Sequence, residues 1–147
     1  MTLKNTIAAN HSPANKYDLS VAGLPKFTFT KVDGIEQEVK KVTMPDRTAA
    51  SGGQSDPFDV KATLPLHHTA EVAAIEAWFK AGKDPVQAGY KKTGTMIYKA
   101  IDDTIVKSYS LEGMWVSKLK MPDVEMSNDG EAALVEVTFS VDDYDVL

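Results

Sequence analysis

Apolar and polar residues alternate along the last part of the chain, EAALVEVTFSVDDYDVL. Ala133, Val135, Val137, Phe139 and Val141 occupy successive odd positions, and polar residues separate most of them. Successive side chains of a β-strand point to opposite faces of its sheet. The pattern therefore predicts a strand with one face in a core and one hydrated face.

The same alternation recurs elsewhere. In FDVKATL, Phe58 and Val60 alternate with Asp59 and Lys61. Five other segments have strand-like composition, and turn residues separate them at intervals typical of antiparallel structure. We predict a mostly β chain, an antiparallel sandwich or barrel. The five segments are residues 17–21, 26–32, 35–44, 93–101 and 104–113.

The segment MWVSKLKM is predicted to be a strand with two unlike faces. Simple alternation places Trp115, Leu119 and Met121 on one face, and Lys118 and Lys120 on the other. The charged face is predicted to contact water.

One segment has helical periodicity, TAEVAAIEAWFKAG, and predicts a helix over about 69–81. Thr69 is the expected N-cap, Glu71 suits the positive end of the helix dipole, and Gly82 is the expected stop. The apolar stripe consists of Val72, Ile75, Trp78 and Phe79.

Small and turn-forming residues divide the chain. Residues 1–16 are expected to be an N-terminal arm, and residues 17–147 a single β-rich domain. Asp33-Gly34 predicts a tight hairpin. Residues 45–57, PDRTAASGGQSDP, are predicted to be a long loop, and long loops inside compact domains are usually functional.

Composition narrows the functional classes. The chain has 147 residues, no cysteine and a formal net charge of −5. Disulfides, thiolate metal sites and cysteine nucleophiles are excluded, and the acidic balance argues against a protein that grips nucleic acid. No signal peptide or membrane helix is recognisable, so we expect a protein made and kept in a cytoplasm.

The sequence contains no convincing catalytic set. His67 and His68 are adjacent, so on a strand they would point to opposite faces and could not chelate one metal; His11 is far away in sequence. Nucleotide-binding and hydrolase motifs are absent. We expect no enzyme activity, no catalytic residue, no metal site and no cofactor.

Long strands with one charged face suggest self-association. Open sheet edges invite pairing with another copy, and a closed ring of identical subunits removes them. The polar faces would then line a wet channel. A monomeric β-barrel that binds a small ligand is the alternative that the alternation also permits.

The arm, the two long hairpins, the loop, the helix with Trp78-Phe79 and the terminal VEVTFSVDDYDV strand together resemble bacteriophage tail tube proteins. The resemblance extends from about residue 17 to 146 and is to the fold shared by contractile-tail tubes and type VI secretion tubes. It implies ring-shaped oligomers in which six subunits form a ring, rings stack head to tail, and four strands per subunit build an inner barrel.

The resemblance also implies sites and partners. Lumen-facing candidates are Glu36, Glu38, Asp59, Lys61, Lys118, Lys120, Glu136 and Thr138. The expected inter-ring loop is Ser51, Gly52, Gly53, Gln54, Ser55 and Asp56. Implied partners are other copies of the chain and the sheath, baseplate and tail terminator proteins, with no membrane.

Viral DNA would pass through such a lumen during ejection without specific binding. The implied location is the virion tail, assembled in the host bacterial cytoplasm. A tube of a type VI-like secretion system or of a phage-derived injection system remains open as an alternative.

Overall fold

The computed structural model describes residues 11–84, 86, 88–126, 130 and 132–147. The first ten residues of the predicted arm, and most of the predicted turn at 127–130, lie outside this part. The described elements are β1 (Tyr17–Val21), β2 (Lys31–Val32), β3 (Val39–Thr43), β4 (Ala49–Ser55), β5 (Phe58–Pro65), α1 (Thr69–Gly82), a short 3-10 helix (Ala88–Tyr90), β6 (Lys92–Lys99), β7 (Ile105–Lys120), β8 (Leu134–Val141) and β9 (Asp143–Val146).

The strands pair antiparallel throughout the described chain and form two main sheets. Sheet I has the order β1-β6-β7-β9, and sheet II has the order β7-β8-β5-β2. The 16-residue strand β7 belongs to both, because residues 105–114 pair in sheet I and residues 115–120 pair in sheet II. The predicted antiparallel β-sandwich with one helix is confirmed.

A single hydrophobic core joins both sheets and the helix. Leu19 and Met96 come from sheet I, Val60 and Phe139 from sheet II, and Trp78 from α1; all are buried in one cluster. The Trp78 and Phe139 rings lie 5.5 Å apart. Burial alternates strictly along the first seven residues of β5 and along β8, as the sequence pattern predicts.

Helix α1 begins at Thr69, so the prediction that Thr69 is the N-cap is wrong. His68 occupies the cap position and makes no side-chain capping hydrogen bond. Its ring Nδ1 instead lies 2.8 Å from Glu71 Oε2, and Glu71 Oε1 accepts a 2.8 Å hydrogen bond from the Thr28 amide. Glu71 thus links the first turn to the segment of buried Phe27 and Phe29.

The predicted loop over 45–57 is in large part a strand. Residues of β4 pair with β3 to form a separate two-stranded sheet. Between the paired residues Val39–Ser55 and Lys41–Ser51, β3 has one intervening residue and β4 has three, so β4 contains a bulge. Gly53 has a φ of +76°, and a Cβ on Gly52 would lie 2.9 Å from the Lys40 carbonyl oxygen. The glycines therefore permit a bulge and close strand approach.

Asp33-Gly34 does not close a hairpin between its flanking segments. β2 pairs with β5, and β3 pairs with β4. Tertiary pairing of β2 with the buried strand β5 overrides the local turn signal.

Residues 11–16 of the predicted arm lie against the turn between β6 and β7. The carbonyl oxygen of His11 accepts a bond from the Ile101 amide, and Ser12 Oγ donates to the Lys99 carbonyl oxygen. Lys16 Nζ forms a 2.9 Å ion pair with Asp103.

A bulge in β7 changes the predicted faces of that strand. Val116 pairs with Phe139 and Lys118 with Thr138, so Ser117 is the extra residue. Trp115 pairs with Ser140 on the hydrated side of β8, whereas Leu119 pairs with buried Val137. The prediction that Trp115 and Leu119 share a face is wrong, because a bulge reverses the parity of a strand.

Candidate functional site

The candidate functional site is the hydrated face of sheet II. Six of the eight predicted lumen-facing residues come together there, because the same-parity positions of β5, β8 and the end of β7 share a face. They line one concavity together with two residues of the β2 region and Thr63 of β5. The polar residues of this surface are Lys31, Asp33, Asp59, Lys61, Thr63, Lys118, Lys120, Glu136 and Thr138.

Strand register arranges these side chains in rows across the sheet. The first row runs Lys31, Thr63, Glu136, Lys120, from β2 through β5 and β8 to β7. Directly paired residues of antiparallel strands lie side by side on one face.

A second row lies beside it. It runs Lys61, Thr138, Lys118 across β5, β8 and β7. The Asp33 amide donates a 2.8 Å hydrogen bond to the Lys61 carbonyl oxygen, which places Asp33 at the β2 end of this row.

The charge of this face is mixed with a slight positive excess. Four lysines and three carboxylates line the concavity, which leaves one excess positive charge. Within the described chain, Lys120 has an ion-pair partner, Asp123 at 3.7 Å, whereas Lys31 and Asp33 have no partner within 4.0 Å. Six of the seven charged residues are exposed and Asp33 is half-buried, so most of these groups face water.

The remaining two predicted lumen residues lie elsewhere. Glu36 and Glu38 are exposed on the segment between β2 and β3, outside the concavity. The Glu38 carbonyl oxygen accepts a 3.0 Å hydrogen bond from the Asp56 amide. Between them Gln37 Nε2 donates to Asp143 Oδ1 at 3.1 Å, which ties the base of the β3–β4 hairpin to β9.

Lys31 and Asp33 were missed by the sequence analysis. The polar–apolar–polar order of Lys31, Val32 and Asp33 is itself a strand signal that could have found them. The Asp33-Gly34 turn signal outweighed this strand signal, because a hairpin there would pair residues 26–32 with residues 35–44.

The predicted inter-ring residues lie on the β3–β4 hairpin. Ser51 to Ser55 belong to β4, and Asp56 follows it. All five residues of β3 are exposed. Val42 and Met44 are 45% and 44% exposed, so an apolar side of this hairpin contacts water in the single chain.

Sheet II ends in two open edges. In the described chain β2 pairs with β5 alone, and residues 118–120 of β7 pair with β8 alone. The sheet thus presents unpaired backbone groups at both margins.

This architecture is shared with solved structures. A chain of the sheath–tube complex of an extracellular contractile injection system, PVC, matches with a TM-score of 0.76 at 15% identity, covering 100% of this chain and 98% of that one. A chain of the anti-feeding prophage cap, the AFP tube terminating cap, matches with a TM-score of 0.76 at 13% identity, covering 93% and 91%. Hcp1 from Flavobacterium johnsoniae matches with a TM-score of 0.58 at 12% identity, covering 89% and 94%.

The chain has the tube fold of contractile injection systems. No protein-family model matches the chain, and no curated protein matches its sequence. The similarity to these proteins is shown by the comparison of three-dimensional structures. In the parts of the chain that the structure describes, no helix is long and apolar enough to cross a lipid bilayer.

Proposed function

We propose that this chain is the structural subunit of a tube, in which six copies form a ring, rings stack head to tail, and the hydrated face of sheet II lines a water-filled lumen. One observation carries the proposal. In a tube fold, sheet II combines a charged, exposed face with a buried reverse face and two open edges.

The open edges supply the contact between neighbours in a ring. The four strands of sheet II alternate in direction. Because their number is even, β2 of one copy is antiparallel to β7 of the next, and the barrel continues without a change of pattern. Closure through identical copies removes every exposed edge of sheet II.

The face that would surround the lumen is made by Asp59, Lys61, Lys118, Lys120, Glu136 and Thr138, with Lys31 and Asp33 at the edge. Glu36 and Glu38 lie on the segment that follows β2, outside sheet II. We propose that they lie at the rim of the lumen. Water inside the tube solvates these charges, so the face needs no protein partner in the ring.

The β3–β4 hairpin is proposed to contact the adjacent ring. An isolated two-stranded hairpin is marginally stable in water. Contact with the neighbouring ring would bury the exposed side chains of Val42 and Met44. Ser51 to Asp56 would take part as the second strand and the connection to sheet II.

We favour a tube of the contractile injection or type VI kind. A phage tail tube that conducts DNA is the second candidate, supported by the sequence resemblance. The hydrated face carries one excess positive charge, and Glu36 and Glu38 at the proposed rim would add two negative charges, so the lumen would neither bind nor repel DNA phosphate strongly. Partners of the assembled tube would be sheath, baseplate and terminator proteins, and in the second candidate the location would be the virion tail.

A monomeric ligand-binding barrel is less consistent with the interior. Large side chains fill the space between the sheets, including Leu64, Ile75, Leu111, Met114 and Phe139, all below 2% exposed. The role that we propose is structural and involves no catalysis.

Light scattering coupled to size-exclusion chromatography, with negative-stain microscopy, tests the proposal. We expect rings with six times the 16.0 kDa mass of the subunit, and stacked hollow filaments at higher concentration. A species that stays monomeric at millimolar concentration would contradict the proposal. Retention of double-stranded DNA by assembled tubes at low salt, but not at high salt, would support contact between phosphate and the lumen lysines.

A further inference from the structure

The two ends of sheet II carry different segments of the chain. Antiparallel register places the start of β5 and the end of β8 at the first end, and the end of β5 and the start of β8 at the second. The β3–β4 hairpin is joined to the first end, because β2 runs antiparallel to β5 and points toward it. Residues 121–126, which follow β7, lie at the second end. In a closed barrel, strands tilt from the axis by about 35–45°, so these two ends would face the two mouths of the lumen.

The β3–β4 hairpin projects from the first end of the sheet. All five residues of β3 are exposed, and so is every side chain of β4 that the structure describes. Lys40, Val42 and Met44 occupy alternate positions and therefore share one side of the hairpin. Residues 39–55 contain three basic residues and one acidic residue, which leaves a net charge of +2 in a chain whose net charge is −5. The first end thus presents apolar side chains within a basic segment.

The second end contains a concavity with an apolar lining, which we call the end concavity. Met121, Val124 and Leu134 line it and are 43%, 88% and 39% exposed. Leu66 lies beside it, because the Leu66 amide donates a 3.0 Å hydrogen bond to the carbonyl oxygen of Ala133, another lining residue. Exposed apolar side chains gathered at one place are typical of a protein contact.

The end concavity is acidic where the hairpin is basic. Asp123 and Glu125 line it, and residues 121–126 contain no basic residue, so this segment has a net charge of −2. Two hairpins that faced each other would bring like charges together, and so would two end concavities. A hairpin that faces an end concavity brings opposite charges together, so the charges favour a head-to-tail stack.

We propose that the β3–β4 hairpin of one ring docks in the end concavity of the adjacent ring, where Val42 and Met44 cover Met121 and Val124. This inference rests on the proposed ring. The occupant is a second copy of this chain, because the two surfaces lie at opposite ends of one sheet and are complementary in charge. Such a contact joins two different surfaces, so it repeats from ring to ring without closing.

The position of the end concavity favours an adjacent ring over a protein on the outside of the tube. Leu134 has the same parity along β8 as Glu136 and Thr138, so it belongs to the hydrated face of sheet II. In the proposed ring this face surrounds the lumen. A protein bound around the tube would not reach it, whereas the next ring along the axis would.

Rings blocked on one side test the docking directly. The hairpin variant is Val42→Asp with Met44→Asp, and the concavity variant is Met121→Asp with Val124→Asp. Each variant alone should form single rings and no filaments. Preformed rings of the two variants, when mixed, should give pairs of rings and nothing longer. Only the intact hairpin of the concavity variant can then dock, and its site is the intact concavity of the hairpin variant.

Light scattering coupled to size-exclusion chromatography measures the doubled mass of a ring pair, and negative-stain microscopy shows it. Because each variant must supply one working surface, the appearance of pairs also shows that both variants are folded. The control Val86→Asp adds a carboxylate at an exposed apolar position outside both surfaces and should form filaments like wild type.

Charge reversal of the hairpin gives a second readout. Lys40→Glu with Lys41→Glu changes the net charge of residues 39–55 from +2 to −2. At low salt the concentration for half-maximal filament formation should rise about tenfold. At about 1 M salt the difference from wild type should shrink, because charges are then screened over about 3 Å. Filament formation equal to wild type at low salt would contradict the role of charge in this contact.

The outcomes separate this inference from the proposed function. Filaments from the concavity variant, or mixed rings that stay single, would overturn the docking site while leaving the ring and its lumen intact. A wild-type chain that forms no ring would overturn the proposed function, and this inference with it.

Discussion

The indole Nε1–H of Trp78 donates a 2.6 Å hydrogen bond to the main-chain carbonyl oxygen of Tyr90, while its ring packs on Phe139 at the centre of the core. The bond fixes the end of α1 to the short helix that leads into β6. The ring of Tyr90 in turn meets Trp115 of β7 edge-on at 5.6 Å. One side chain thus joins the helix to both sheets.

Trp78→Phe should lower the free energy of unfolding by about 1–3 kcal/mol, because it removes this hydrogen bond and leaves part of the indole volume empty. Denaturant unfolding followed by circular dichroism measures the change. Tyr90→Phe is the matched control and should have little effect, since it keeps the carbonyl acceptor and the ring. Equal losses from both variants would show that the bond to Tyr90 is not the relevant contact.

Because of the ion pairs of Asp18, the free energy of unfolding should decrease at acid pH. Its carboxylate contacts Lys99 at 2.8 Å and Lys26 at 3.3 Å. The hydrogen bond from Lys99, followed by that from Lys26, holds the Asp18 pKa below its ordinary value of 3.8, although partial burial opposes this. A carboxyl whose pKa is lowered by folding stabilises the native state above its unfolded pKa, and loses this as the pH falls through the folded pKa.

Asp18→Asn should therefore cost about 1 kcal/mol or less at pH 7, and the difference from wild type should shrink below about pH 4. Unfolding midpoints measured from pH 7 to pH 3 check this. Asp103→Asn, which removes one exposed ion pair with Lys16, is the control and should change less. A difference that does not depend on pH would refute the electrostatic explanation.

The pKa of Glu112 is shifted in the direction opposite to that of Asp18. The negative charge of Asp145, a hydrogen bond with it, a small loss of solvation and the negative charge of Asp143 raise the Glu112 pKa above its ordinary value of 4.5. A carboxyl whose pKa is raised by folding favours the native state below its unfolded pKa, and this advantage is lost as the pH rises through the folded pKa.

Glu112→Gln should consequently raise the melting temperature at pH 7, and the gain should disappear below about pH 4. Glu36→Gln, at an exposed position outside this cluster, serves as the control and should leave the melting temperature unchanged. Thermal unfolding at several pH values provides the measurement. A Glu112→Gln protein that melts below wild type at pH 7 would mean that the carboxylate makes a stabilising contact.

The hairpin is predicted to act in stacking and not in folding. Val42→Asp together with Met44→Asp should leave the melting temperature within a few degrees of wild type, because both side chains are already substantially exposed. Single rings should still form, whereas filaments should be lost. Val86→Asp, at a position 90% exposed, is the control. Normal filaments from the double variant, seen by negative-stain microscopy, would contradict the stacking role.

Sequence periodicity was a reliable guide where one strand face is fully buried. The alternation of Val135, Val137 and Phe139 predicts both the strand β8 and its hydrated face. A register shifted by one residue would expose these apolar side chains and lose the free energy of their burial. The same logic predicts that Asp59 and Lys61 lie on the hydrated face of β5, where the structure has them. Helix α1 was recognised from its apolar stripe for the same reason.

Prediction failed where the strand propensity of a segment is weak or where its pairing partner is not the next segment of the chain. The segment of β4 is rich in glycine, serine and alanine, and it is a strand because β3 lies beside it. Asp33-Gly34 has the composition of a hairpin turn, yet the preceding strand pairs with β5. Local propensity is weak for such residues, so the tertiary contact decides.

The order of residues along the chain is enough to predict the alternating strands, the helix, the absence of thiol chemistry and a charged face opposite an apolar one. These follow from the one-dimensional order of side chains. The tertiary structure decided which strands lie side by side, where the Ser117 bulge reverses parity, and that Lys31 and Asp33 complete the charged surface. Strand order and register depend on contacts between residues far apart in the chain, and no local pattern encodes them.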